Sequence, residues 1–173
     1  MSVALVRSSP LAMHETMVEV SVPLERQSAF SGTPAQARAE LEKTPGGVTV
    51  VDARDYLNGR AGTMDDTLKL AAGVFIQSRF GSDEARVSIR GSGLQRTFHG
   101  RGLMLLQDGV PLNLADGGFD MQAVEPGATR YVEVQRGANA LRYGSSTLGG
   151  AINYLSQTGR SAPALLLRAE AGS

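Results

Sequence analysis

The chain has 173 residues, enough for one domain or one domain with a tail. Its 17 basic residues balance 17 acidic ones, so no basic excess points to nucleic acid or to an anionic membrane surface. Cysteine is absent, which excludes a disulfide, a thiolate metal site and a cysteine nucleophile, while 21 glycines and no tryptophan describe a loop-rich chain.

The N-terminus lacks the parts of a secretory signal. Val3 to Val6 is a short apolar patch interrupted by Arg7, where export needs about 7 to 15 apolar residues. No other segment supplies the roughly 20 apolar residues of a spanning helix, so the chain reads as soluble. Residues 1–43 contain Pro10, Pro23 and Pro34 and a stretch rich in small polar residues, which predicts a flexible tether with a short helix fitting Pro34 to Lys43. Within it, Thr16, Val18, Val20 and Val22 alternate with Met17, Glu19 and Ser21 until Pro23 ends the pattern. Such a strand can pair with its own domain or add itself to the sheet edge of another protein.

A globular part follows over 44–160. After the turn Thr44-Pro45-Gly46-Gly47, Val48 to Val51 predicts a strand. Thr63 with Asp66 fits a capping-box start, Leu68 and Leu70 to Ala72 fill the helix, and Gly73 stands where a C-terminal cap belongs. Val74 to Gln77 and Val87 to Arg90 predict strands. Leu103 to Gln107 turns at Asp108-Gly109 into Val110 and Leu112, a pair able to take the positive φ values of a tight turn. The last strands are Tyr131 to Gln135 and Ala151 to Leu155, and residues 161–173 regain strand character from Ala164 onward. Helices and short strands in irregular order predict an α+β fold with a small mixed β-sheet, short helices and long loops.

Enzymatic readings fail on spacing. Gly91-Ser92-Gly93 starts like a dinucleotide fingerprint, but Arg96 occupies the third glycine position. His14 and His99 are far apart in sequence, with no partner at metal-ligand spacing. Ser92, His99 and Asp108 are triad residue types without the strained elbow that presents a nucleophile, and they read as loop residues. No catalytic residue, metal or cofactor is assigned. The arginines 79, 86, 90, 96 and 101 offer an anion-attracting face or, equally, a solvated one.

Taken together, ETMVEV at 15–20, TPGGVTVVDARDYL at 44–57, VSIRG at 87–91, LLQDGVPLN at 105–113 and RGANALRYGSSTLGGAIN at 136–153 fall in one order. That order resembles the plug domain of TonB-dependent outer-membrane receptors. The resemblance implies a plug that sits inside a β-barrel in the outer membrane and gates uptake of a ferric chelate. It implies a box at Glu15, Thr16, Met17, Val18, Glu19 and Val20 that engages the energy-transducing TonB protein; Glu19 departs from the small apolar residue more usual there. It implies ligand-binding apical loops at Gly93, Leu94, Gln95, Arg96 and Thr97 and at Asp116, Gly117, Gly118 and Phe119. It further implies that Arg90, Glu133 and Arg136 make ion pairs with the barrel wall, so that in a chain without the wall they should be exposed or mispaired. Residues 161–173 would begin a first barrel strand, too little to close a barrel. The wording of 139–153 looks nearer to ferric-citrate and related receptors than to vitamin B12 receptors. A stand-alone soluble binding or interaction module and a non-functional receptor fragment are the alternatives.

Overall fold

The structure is a computed structural model that describes residues 32–79, 84–93, 100–167 and 169. The first helix, α1 (Pro34–Glu42), starts at a capping box: Thr33 Oγ1 accepts from Gln36 N at 3.3 Å, and Gln36 Oε1 accepts from Thr33 N at 2.7 Å. It lies in the stretch read as tether but is built into the fold, because Ala37 and Leu41 are buried against the sheet. Next come β1 (Val48–Asp52), α2 (Ala53–Tyr56), α3 (Met64–Leu68), β2 (Val74–Arg79), β3 (Glu84–Ile89), β4 (Leu103–Gln107), β5 (Val110–Pro111), β6 (Thr129–Arg136) and β7 (Gly150–Ser156).

Five strands form a mixed sheet in the order β1-β6-β7-β4-β5, parallel only between β4 and β7; β2 and β3 make a separate antiparallel pair. The predicted hairpin turn is present, with Asp108 at φ 50° and Gly109 at φ 80°. Asp108 extends its hold to β7, since its N–H donates to Tyr154 O at 2.9 Å and its Oδ1 accepts from Ser156 N at 2.8 Å.

Three local expectations change. The helix after Thr63 ends at Leu68, not Ala72. Beyond it, Ala71 N donates to Leu68 O and Val74 N to Ala71 O, so the chain winds through tight three-residue turns before Gly73, at φ 73°, sends it into β2. Arg90 lies outside β3, at φ 53°, because the strand ends at Ile89 and reverses to bridge Ser92. Residues 161–167 form no strand, and Leu165, Leu166 and Leu167 are exposed; no described strand lies beside them to accept their backbone bonds.

Alternation across the sheet gives it two faces. Val51, Leu103, Leu105, Val132, Val134, Ile152 and Tyr154 point to the front, where α2, α3 and the β2–β3 pair close a continuous apolar core. On the back, α1 covers Val50, Tyr131 and Leu155, and a 3-10 segment over Gly137–Tyr143 covers Met104, Leu106 and Ala151.

Candidate functional site

One end of the sheet gathers most of the predicted residues that the structure describes. β6 finishes there at Arg136, β7 and β4 begin there, and β3 ends there at Ile89. Arg136 is half-buried; its Nη1 donates to Thr49 Oγ1 at 2.8 Å and to Ala72 O. Burial, followed by the nearby positive charge of Arg90, lowers the Arg136 pKa from its usual value. The exposed Arg90 reaches across Gly137, whose φ of 62° and lack of a Cβ make room for the guanidinium. Two cations therefore stand together, and among the described residues neither has an acidic partner at salt-bridge distance. Like charges so placed create a seat for an anion, to which guanidinium offers paired planar donors.

Glu133 does not join them. It is 4% exposed on the back face, covered by Tyr143 and Arg142, with Asn153 beside it in β7. The expectation that it stands exposed or mispaired without a wall is corrected by its position in the register. Residues 131, 133 and 135 share the back face, which the chain itself covers.

Gly93, at the root of the first predicted apical loop, and the second loop lie at the same end, and the described residues that lead into β4 touch the second loop. Arg101 Nε donates to Asp116 O at 3.0 Å, and Gly100 lies against the Phe119 ring. Asp116 is exposed and organises its loop, its Oδ1 accepting from Gly118 N at 2.9 Å, while Asn113 ties the loop to β4 through Leu103 O and Leu105 N, both at 2.9 Å. Phe119 is 7% exposed and belongs to the front core, and Gly118 is buried, so both anchor the loop; Asp116 and the half-buried Gly117 present its surface. Gly93 is buried at φ 94°, and a Cβ there would collide with Val87 O and lie 2.8 Å from Leu103 Cδ1. It fixes the root of the other loop. Leu94, Gln95, Arg96 and Thr97 lie outside the described residues, as do Glu15 to Val20.

Sequence reasoning missed the 3-10 segment, α2 and the burial of Glu133. Asp52 carried the signal for α2: its carboxylate accepts from Arg54 N at 3.0 Å and caps the turn. Among the described residues there is no group of three or more His, Asp or Glu able to hold a metal, and no helix is long and apolar enough to cross a membrane.

Residues 40–151 match the family model for the TonB-dependent receptor plug domain. The chain belongs to that family. It is 29% identical over 126 residues to a vitamin B12 transporter of Vibrio vulnificus, covering 72% of this chain and 20% of that protein. It is 32% identical over 107 residues to a hemin receptor of Yersinia enterocolitica, covering 62% of this chain and 15% of that one. The fold matches a crystal structure of a ferric enterobactin receptor mutant from Pseudomonas aeruginosa with a TM-score of 0.53 at 22% identity, over 70% of this chain and 18% of that one. The plug thus spans a fifth or less of the length of these relatives, which are receptors and transporters and not enzymes. Their named ligands differ, a vitamin B12 transporter standing beside hemin receptors.

Proposed function

We propose that this plug gates a TonB-dependent receptor for a ferric chelate in the outer membrane, and that Glu15 to Val20 is the segment the TonB protein takes hold of. The observation that supports the reading is the Arg90 and Arg136 pair at the end of the sheet where Gly93 and the 116–119 loop also lie. Carboxylates of a surrounding barrel are the fitting partners for that pair, since they neutralise both guanidiniums in a partly dry setting. Leu94 to Thr97 with Asp116 and Gly117 are the residues assigned to the ligand side, held by the buried Gly93 and Gly118, and Arg96 with Gln95 suits an anionic, oxygen-rich chelator. The iron is cargo held by its chelator and needs no protein ligand.

The mechanism is mechanical. Ligand on the loops alters access to the box, the TonB protein adds a strand to Glu15 to Val20, and force passes along the tether into α1. α1 rests on a small apolar patch of Ala37, Leu41, Val50, Tyr131 and Leu155, so it is the part of the plug that force reaches first. Uptake of radiolabelled ferric citrate by cells carrying the receptor tests this. Val18→Pro removes a ladder donor from the box and should abolish uptake while surface binding of the chelate persists. Unchanged uptake by Val18→Pro would overturn the coupling role, and absence of chelate binding in the parent receptor would overturn the ligand class.

A further inference from the structure

The two apolar patches on the back of the sheet do not meet. Between them runs a buried polar strip of Glu133, Gln135 and Asn153, exposed by 4%, 2% and 1%. Its cover is the loop 137–149, a compact Ω-like excursion closed at its base by Gly137 N donating to Gly149 O at 2.9 Å. Ala140, fully buried, and the half-buried Tyr143 pack the loop onto the second apolar patch, Thr147 and Gly149 are buried as well, and Leu141 and Leu148 face outward at 62% and 84% exposure. The remaining hold is polar. The Gln135 amide, in the orientation that satisfies both its ends, donates to Asn139 O at 2.8 Å and accepts from Arg142 Nη1 at 3.2 Å. Tyr143 and Asn153 both lie beside Glu133; Asn153 Oδ1 accepts from Gly109 N at 3.0 Å, and its buried Nδ2 has no hydrogen-bond partner among the described residues.

We propose that Glu133 is a proton-operated latch for the 137–149 loop, which stays seated while the carboxyl is protonated and lifts to admit water when it ionises. The groups facing it are Arg142 and Tyr143 from the loop, Asn153 from β7, and Tyr131 and Gln135 from its own strand; Val50, opposite on β1, carries no charge. Of these only Arg142 favours the ionised form by charge. It is exposed, so water screens it, while desolvation acts on Glu133 directly and pushes its pKa up from the ordinary carboxyl value. Ionisation releases the proton to solvent and leaves a buried anion whose least costly relief is hydration. A loop held by few apolar contacts is the element able to supply it. Because the loop starts at Gly137, directly after Arg136 and against Arg90, its lifting also frees the ground on which the arginine pair stands. This latch rests on the geometry of the plug alone and holds whatever ligand the receptor takes.

Amide exchange of the full 173-residue chain followed by NMR tests it, reading Gly137 and Gly144, whose N–H groups close the loop and its 3-10 segment. After correction for intrinsic rates, protection at both should fall about tenfold or more between about pH 4 and pH 8. Glu133→Gln keeps the shape without the charge and should stay protected throughout. Equal protection across that range in the parent chain, or an unaltered pH dependence in Glu133→Gln, would overturn the latch. Should that variant fail to fold, the side-chain carboxyl carbon of Glu133 in the parent chain reports its ionisation. Its midpoint must coincide with the loop transition, and separate midpoints would overturn the proposal.

Discussion

The two faces of the sheet divide labour. The front face packs one contiguous core in which Leu68, Ile89, Leu103, Leu105, Val132, Val134 and Ile152 are almost fully buried, and its buried polar groups are satisfied within it: Thr67 Oγ1 and the Tyr154 hydroxyl lie 2.8 Å apart, and the Tyr56 hydroxyl donates to Pro126 O at 3.2 Å. The back face is two small apolar patches separated by the Glu133 strip, one under the helix next to the tether and one under a glycine-rich loop. Apolar area sets the free energy of holding an element in place, at about 25 cal/mol per Å², so the front should survive disturbances that open the back. The gating role proposed above asks the plug to stay folded when unloaded and to yield in part when pulled, and this division fits both.

Breaking the front should cost most. Leu105→Ala, at a fully buried site, removes packing from the front core and should destabilise the chain by about 3 to 4 kcal/mol, read as a drop in the denaturant midpoint with little change in slope. Gly93→Ala forces a side chain into positive φ against Val87 O and should cost about 2 to 3 kcal/mol by the same measurement. Leu41→Ala, on the edge of the α1 patch, should cost only about 1 to 2 kcal/mol globally. Its clearer effect should be faster exchange of α1 amides, with those of Val132 and Val134 unchanged. A loss as large as that of Leu105→Ala would erase the distinction between the faces.

pH sharpens the same comparison with smaller effects of opposite sign. Folding raises the Glu133 pKa, so its contribution is full below the unfolded carboxyl value and is lost as pH rises through the folded one. Folding lowers the Asp52 pKa, chiefly through the Arg54 side-chain hydrogen bonds at 2.7 to 3.2 Å, so its contribution is full above the unfolded value and is lost as pH falls through the folded one. Thermal midpoints across pH should show Glu133→Gln flattening the alkaline limb and Asp52→Asn flattening the acid limb. At the surface, breaking the exposed Arg38–Asp55 pair should change stability by no more than about 0.5 kcal/mol.

Much of the front face was legible in the sequence, since Val48 to Val51, Leu103 to Gln107, Tyr131 to Gln135 and Ala151 to Leu155 announce themselves by composition and by the turn residues between them. Which face each residue takes was less so. In strands covered on both sides alternation no longer marks inside from outside, and Glu133 reads as a surface charge until the loop that covers it is seen. The end of α3 escaped for a similar reason: Leu70 to Ala72 fit a helix by propensity, but the chain tightens there to reach β2. The arginine pair was visible only as two motif residues far apart in the chain. Its meaning comes from β3 and β6 ending at the same place.

The most direct test of the plug reading is an NMR titration of the 173-residue chain with the periplasmic domain of the TonB protein, alongside the Val18→Pro variant. The account predicts that the resonances of Glu15 to Val20 shift on binding, that those of the front core do not, and that Val18→Pro abolishes the response. Absence of binding, or binding that leaves 15–20 untouched and survives Val18→Pro, would contradict it.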